Sequence, residues 1–342
     1  MRLDTGNRSF LALIGAGLAG LWLLCGAVAC VLFSLIAYHV ADDGLGALTR
    51  GTDLWPALAL VLFVGGGAAL GIWSLRRQIA SSHRLVRRVD ELELPPLNDL
   101  DRAARRAGLA GRVVLVDSEE PFSFTYGAVT PRVAVSRGLV AATSPRELEA
   151  VLEHERYHVR NLDPLKVLLS RALPATFFYL PALRELRRRY IAGRELAADR
   201  RAIESCGREP LAGALFKVVR GPRWPELGTA AAIGGPELLD VRVEQLEMGS
   251  EPRVGGVSVT ALFLSLVGIA ALTAAFVATV VGVGGPDAVA RETGASLQPT
   301  DVALGLLCAV PWVIAGFAVY RWLDRRAKQP VSRRERSTTL SS

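Results

Sequence analysis

The 342 residues are 51% hydrophobic yet carry a formal net charge of +7, which argues against one soluble domain and for alternating apolar and charged blocks. The basic residues crowd beside the apolar runs, so membrane topology explains the charge better than direct nucleic-acid binding does. Of the four cysteines, Cys25, Cys30 and Cys308 lie in apolar segments and Cys206 in a polar one, a spacing that suits neither a disulfide framework nor a thiolate metal site.

A bilayer crossing takes roughly 20 apolar residues as helix. Residues 10–37 and 54–75 meet that requirement, and residues 257–284 and 302–323 meet it again. The first run is too long for a signal peptide core, and a second span follows closely. Arg76, Arg77, Arg84, Arg87 and Arg88 follow the second span, and Arg321, Arg325, Arg326 and Lys328 follow the fourth. The loops at the opposite face hold only Arg50 and Arg291 as basic residues. This bias puts both termini and the central region in the cytoplasm of a multi-pass plasma-membrane protein. Neither loop, 41–51 or 286–300, is long enough for a folded sensor domain. No span carries an ionisable residue at its middle, which counts against transport. Residues 324–342 read as a disordered basic tail.

Residues 76–253 form one charged block of ordinary domain size. It opens as helix and turns at Pro95-Pro96. Short strands are expected at residues 113–116 and 132–136, and residues 121–127 alternate aromatic with small side chains as a half-buried strand does. Strand Arg132 to Ser136 is expected to offer its edge to an extended peptide. Ser144 as cap, Pro145 at the first helical position and Glu147 then announce a capped helix that ends before Asp163-Pro164. The apolar stretch from Ala172 to Pro181 is too short to span and reads as a buried or membrane-grazing hairpin.

The capped helix contains His154-Glu155-Arg156-Tyr157-His158, with two of the chain's four histidines. Residues four apart share a helix face, so both imidazoles can reach one Zn²⁺. Glu155, beside the first ligand, is placed to act on water as the catalytic base rather than to bind the ion. The third ligand is expected from Glu195, with Asp199 one turn on to accept the free ring N–H of a histidine. The competing reading leaves both acids solvating a helix in pairs with Arg194, Arg200 or Arg201. An oxyanion donor is sought among Tyr157, Tyr190 and Arg242, with Arg242 preferred.

At these residues the chain resembles the BlaR/MecR-type membrane metallopeptidases of family M56. The likeness rests on Pro121-Phe122-Ser123-Phe124, Pro131-Arg132-Val133, the run from Leu152 to His158, Asp163-Pro164-Leu165 and the run from Arg194 to Asp199. It covers about residues 110 to 205 and implies His154, His158 and Glu195 as ligands of one Zn²⁺, with Glu155 as catalytic acid–base. Well-known members relay a β-lactam signal from an extracellular domain to cleavage of a cytoplasmic repressor; no such domain fits the short loops, so β-lactam sensing is not carried over. The order of two spans, protease and two spans is also similar to the HtpX-like branch of family M48. The expectation is an α-helical multi-pass membrane protein of four spans with a cytoplasmic α+β zincin-type (gluzincin) metalloprotease domain. Its partners would be a lipid bilayer and a protein substrate, either a transcriptional repressor or a membrane protein. A non-catalytic zinc-containing receptor is the reading from a different class.

Overall fold

The computed structural model describes residues 4–35, 55–220 and 236–275, the side chains of 22–35, 55–57, 220 and 236–237 excepted. The expected fourth span, the basic tail and both short loops lie outside the described residues. Two long helices open the chain, α1 (Thr5–Leu35) and α2 (Trp55–Glu91). Helix α2 passes unbroken from an apolar half into the basic run at Arg76 to Arg88, and residues Leu58–Glu91 are long and apolar enough to cross a membrane. A shorter apolar helix, α10, covers Val259–Ala275 within the third expected span.

Between them lie strands β1 (Glu93–Leu94), β2 (Val113–Val116), β3 (Ser123–Tyr126) and β4 (Arg132–Ser136), ordered β1-β2-β4-β3. Strand β2 runs parallel to β4, and β3 pairs antiparallel with β4's other side. This corrects one expectation. Strand β4 is flanked on both sides, so among the described residues the sheet's edges are β1 and β3. Side-chain alternation of period two sorts the sheet's faces. Phe122, Phe124 and Tyr126 join Val114, Val116 and Ala134 against Leu85 and Val89 of α2. Leu115, Val133 and Val135 face the other way, onto α3 (Asn98–Arg106) and α5 (Pro145–Arg160), leaving α4 (Arg137–Ala142) at the end of β4. Ser123 and Thr125, alternating with the aromatics, therefore point towards α5.

Helix α5 starts as expected. The Ser144 hydroxyl accepts from the Glu147 N–H, and the Glu147 carboxylate accepts from the Ser144 N–H at 2.6 Å. After Arg160 the chain reverses through Leu162, whose φ of +52° lies in the left-handed region. For a non-glycine residue that conformation costs of order 1–3 kcal/mol and is retained where the surroundings demand it. Here it turns Asp163, first residue of α6 (Asp163–Thr176), back towards α5. Helix α7 (Pro181–Cys206) returns alongside, followed by α8 (Arg208–Arg220) and α9 (Pro236–Met248).

The α6–α7 turn buries Phe177 and Leu180 with Leu13, Leu183 and Leu186. Glycines of the apolar helices make room for it: a Cβ at Gly67 of α2 would stand 2.6 Å from the Thr176 carbonyl oxygen, and one at Gly268 of α10 2.7 Å from that of Tyr179. The short apolar hairpin is thus enclosed by α1, α2 and α10. Helix α1 packs along α7, its Gly6 against Gly193 so closely that a Cβ at Gly193 would lie 2.6 Å from the Gly6 nitrogen.

Candidate metal centre

His154 and His158 stand one turn apart on the buried face of α5, and Glu195 faces them from the buried middle of α7. The two Nε2 atoms are 3.1 Å apart; Glu195 Oε2 lies 3.5 Å from His154 Nε2, and Oε1 lies 3.7 Å from His158 Nε2. All three donor atoms fall within 4.8 Å of one another.

Each imidazole is held from behind by a carboxylate. Asp199, one turn beyond Glu195, places Oδ1 2.8 Å from His154 Nδ1. Asp163 places Oδ2 2.6 Å from His158 Nδ1, and its Oδ1 accepts from the Tyr190 hydroxyl at 3.2 Å. Carboxylates so placed favour the proton on Nδ1 and leave the Nε2 lone pairs pointing at each other. Two such lone pairs at 3.1 Å require a cation or a proton between them. Tetrahedral Zn²⁺ with Zn–N of about 2.0–2.1 Å sets its ligand nitrogens about 3.3 Å apart, so the spacing suits that ion.

The electrostatics agree. Burial alone would depress His154, but Asp199 and Glu195 outweigh it and lift it from 6.5 to about 9. Burial would raise Glu195, yet Arg194, His158 and His154 carry it well below the usual carboxylate range. Asp199 is likewise held low against its burial, chiefly by Arg242. The site draws positive charge to the point where the three donors converge.

Arg194 donates through Nε and Nη2 to Glu195 Oε1 at 3.1 and 2.9 Å. The pairing that would have made Glu195 a mere surface acid exists alongside its approach to the histidines. Arg242 of α9 donates to both Asp199 oxygens at 2.7 and 2.8 Å, and its Nη1 lies 3.7 Å from Glu195 Oε2. Of the other two oxyanion candidates, Tyr157 gives its hydroxyl proton to Asp4 at 2.6 Å and Tyr190 gives its own to Asp163, and both hydroxyls are pushed up by burial and these acids.

Glu155 is buried beside the first histidine, and both of its oxygens are claimed. Ser123 donates to Oε1 at 2.9 Å and Thr125 to Oε2 at 2.7 Å. The first turn of α1 completes the surroundings, with Asn7 donating to Asn161 at 3.1 Å and Lys166 donating to Asn7 at 2.6 Å.

The structure brings the three expected donors together and sets Asp199 behind His154. The placements of Ser123, Thr125, Asp163 and Asp4 had not been read from the sequence. The alternation from Pro121 to Gly127 held a signal for the first two, since it fixes which face the hydroxyls share.

Residues 47–246, more than half of the chain, match the family described as BlaR1 peptidase M56. The chain belongs to that family. This M56 chain is also similar to proteins named "Protease HtpX homolog". One, from Thermococcus kodakarensis, is 32% identical over 164 residues, 47% of this chain and 53% of that protein. Another, from Methanothermobacter thermautotrophicus, is 34% identical over 96 residues, 27% of this chain and 37% of that protein. The M56 chain thus spans about half, or less, of the length of these curated relatives.

Proposed function

We propose that this chain is an integral-membrane zinc endopeptidase that cuts a cytoplasmic regulatory protein of the repressor type. The observation that carries the reading is the convergence of His154, His158 and Glu195 within 4.8 Å, with Glu155 next in sequence to His154 and buried on the same helix. His154, His158 and Glu195 would hold one Zn²⁺. When bound, the ion polarises a peptide carbonyl and acidifies water.

The chain's own residues do the rest. Asp199 and Asp163 keep the two imidazoles in the ligating tautomer. Arg194 occupies Glu195 Oε1 and so directs Oε2 inward. Glu155 takes a proton from the attacking water and passes it to the departing amine. Arg242, with Nη1 not engaged by Asp199, is the proposed donor to the developing oxyanion. The free edge of β3 receives the peptide in extended form, main chain to main chain.

The proposed architecture is four spans, two at residues 1–75 and two at 254–323, around a cytoplasmic gluzincin-type α+β domain at 76–253. Both termini lie in the cytoplasm, and residues 324–342 form a basic tail. Positive charge beside the spans supports this orientation.

A second reading, quality control of membrane proteins, draws on the HtpX-named relatives. The test is zinc content and substrate accumulation in cells carrying Glu155→Gln. One stabilised soluble protein supports regulation, a broad set of membrane proteins supports quality control, and a zinc-bound chain whose variant stabilises nothing supports the receptor reading.

A further inference from the structure

Strand β3 touches the site through its side chains and, among the described residues, leaves its outer edge unpaired. Ser123 and Thr125 sit two residues apart on the face turned to α5, and each hydroxyl holds one oxygen of Glu155. The outer aromatics Phe122, Phe124 and Tyr126 are buried on the opposite face against α2, so the strand cannot roll to release them. The backbone adds a second relation. Phe122 exchanges with Ser136, its carbonyl accepting from the Ser136 N–H at 3.0 Å and its N–H donating to the Ser136 hydroxyl at 2.9 Å. In an antiparallel ladder, pairs that face the partner alternate with pairs that face away. Phe122, Phe124 and Tyr126 therefore turn their main-chain groups towards β4, and Ser123 and Thr125 turn theirs to the free edge.

We propose that Ser123 and Thr125 are positioning residues for Glu155, holding the carboxylate by their hydroxyls while their outward main-chain groups pair the extended substrate. This rests on Glu155 as the proton-transferring group. One strand then sets both the base and the peptide it acts on. A carboxylate accepts from both of them, and the proton that Glu155 takes from water sits on the lone pair left facing that water, from which it leaves with the amine. Both hydroxyls keep their own protons throughout, and one donor bond to each oxygen leaves a lone pair on each for water.

The test uses the full chain in detergent, loaded with zinc, with fluorescein-labelled casein as probe. Thr125→Val, Ser123→Ala and the double variant are compared with wild type, Thr125→Ser and Glu155→Gln. The expected result is a fall in kcat of roughly 10- to 100-fold in the double variant, as for a displaced catalytic group. KM should stay within about twofold, one zinc per chain should be retained, and Thr125→Ser should recover most of the rate. An unchanged kcat overturns the proposal, and so does a loss of zinc or of the thermal transition along with activity, which would make the hydroxyls merely structural. Equal rates for wild type and Glu155→Gln, at zero or otherwise, overturn instead the proposed function on which it stands.

Discussion

The carboxylate of Asp163 lies 2.6 Å from Nδ1 of His158, brought there by a left-handed Leu162 that ends the histidine helix and starts the next. It mirrors Asp199 behind His154. Asp163→Asn keeps the shape and loses the charge that fixes the ring. Zinc affinity should fall about 10- to 100-fold while the fold is retained. Competition against a chromogenic chelator reads the change, and an unaltered affinity would leave Asp163 without a part in the site.

The ligand set can be tested separately from the base. His154→Ala and Glu195→Ala should lose zinc, whereas Glu155→Gln should keep it and abolish cleavage. Zinc analysis of the purified variants next to an activity assay separates the two classes. Full zinc in Glu195→Ala would remove Glu195 from the proposed set.

Metal loading should depend on pH with a defined sign. In the metal-free chain His154 is raised from 6.5 to about 9, so the folded state holds a proton that the unfolded state releases. Its contribution to stability is full below about pH 6.5 and lost as pH rises through about 9. Zinc must displace that proton, so apparent affinity should weaken below about pH 9, by at most roughly tenfold per pH unit for one proton. Affinity that is flat between pH 7 and 9 would show that His154 holds no such proton in the metal-free chain.

Arg194 is 6% exposed and is the near partner of Glu195 Oε1. Arg194→Met strips a buried carboxylate of its counter-charge, and losses of this kind run to about 3–5 kcal/mol. Thermal unfolding in detergent should show a clear drop in the metal-free protein, smaller once zinc is bound to Glu195. Equal melting of variant and wild type would show that the pair is not a buried support.

The α1–α7 contact admits a sharp control. Gly193→Ala places a Cβ 2.6 Å from the backbone of Gly6 and should force the helices apart, costing about 1–3 kcal/mol. Gly65→Ala, with nothing within 4 Å, should be neutral. Similar effects in both would show that the close approach of Gly193 to Gly6 carries no cost, since Ala is otherwise favoured over Gly in a helix.

What the sequence discloses about this site divides along contact range. Ser144, Pro145 and Glu147 announce α5 because capping is settled within one turn. His154 and His158 need only helical spacing to share a face, and Glu195 with Asp199 follow the same rule. Strand order obeys no such local rule: the pattern of Arg132 to Ser136 suits an edge or a centre equally, and only the parallel pairing with β2 puts it inside. The hold of Ser123 and Thr125 on Glu155 spans about thirty positions, and that of Asp4 on Tyr157 spans 153. Periodicity fixes the face on which such side chains emerge but not the element that will meet them.

The reach of Asp4 and Arg242 has a consequence for how the protein is made. Tyr157 is anchored to the fourth residue of the chain, and Asp199 is braced by one that follows it by more than forty positions. While the ribosome is still translating the histidine helix, the acid behind His154 has not been made, and the guanidinium that steadies that acid comes later still. The growing chain therefore carries an incomplete centre until α1 has docked and α9 has emerged. A central fragment cut free of both ends would remain at that unfinished stage.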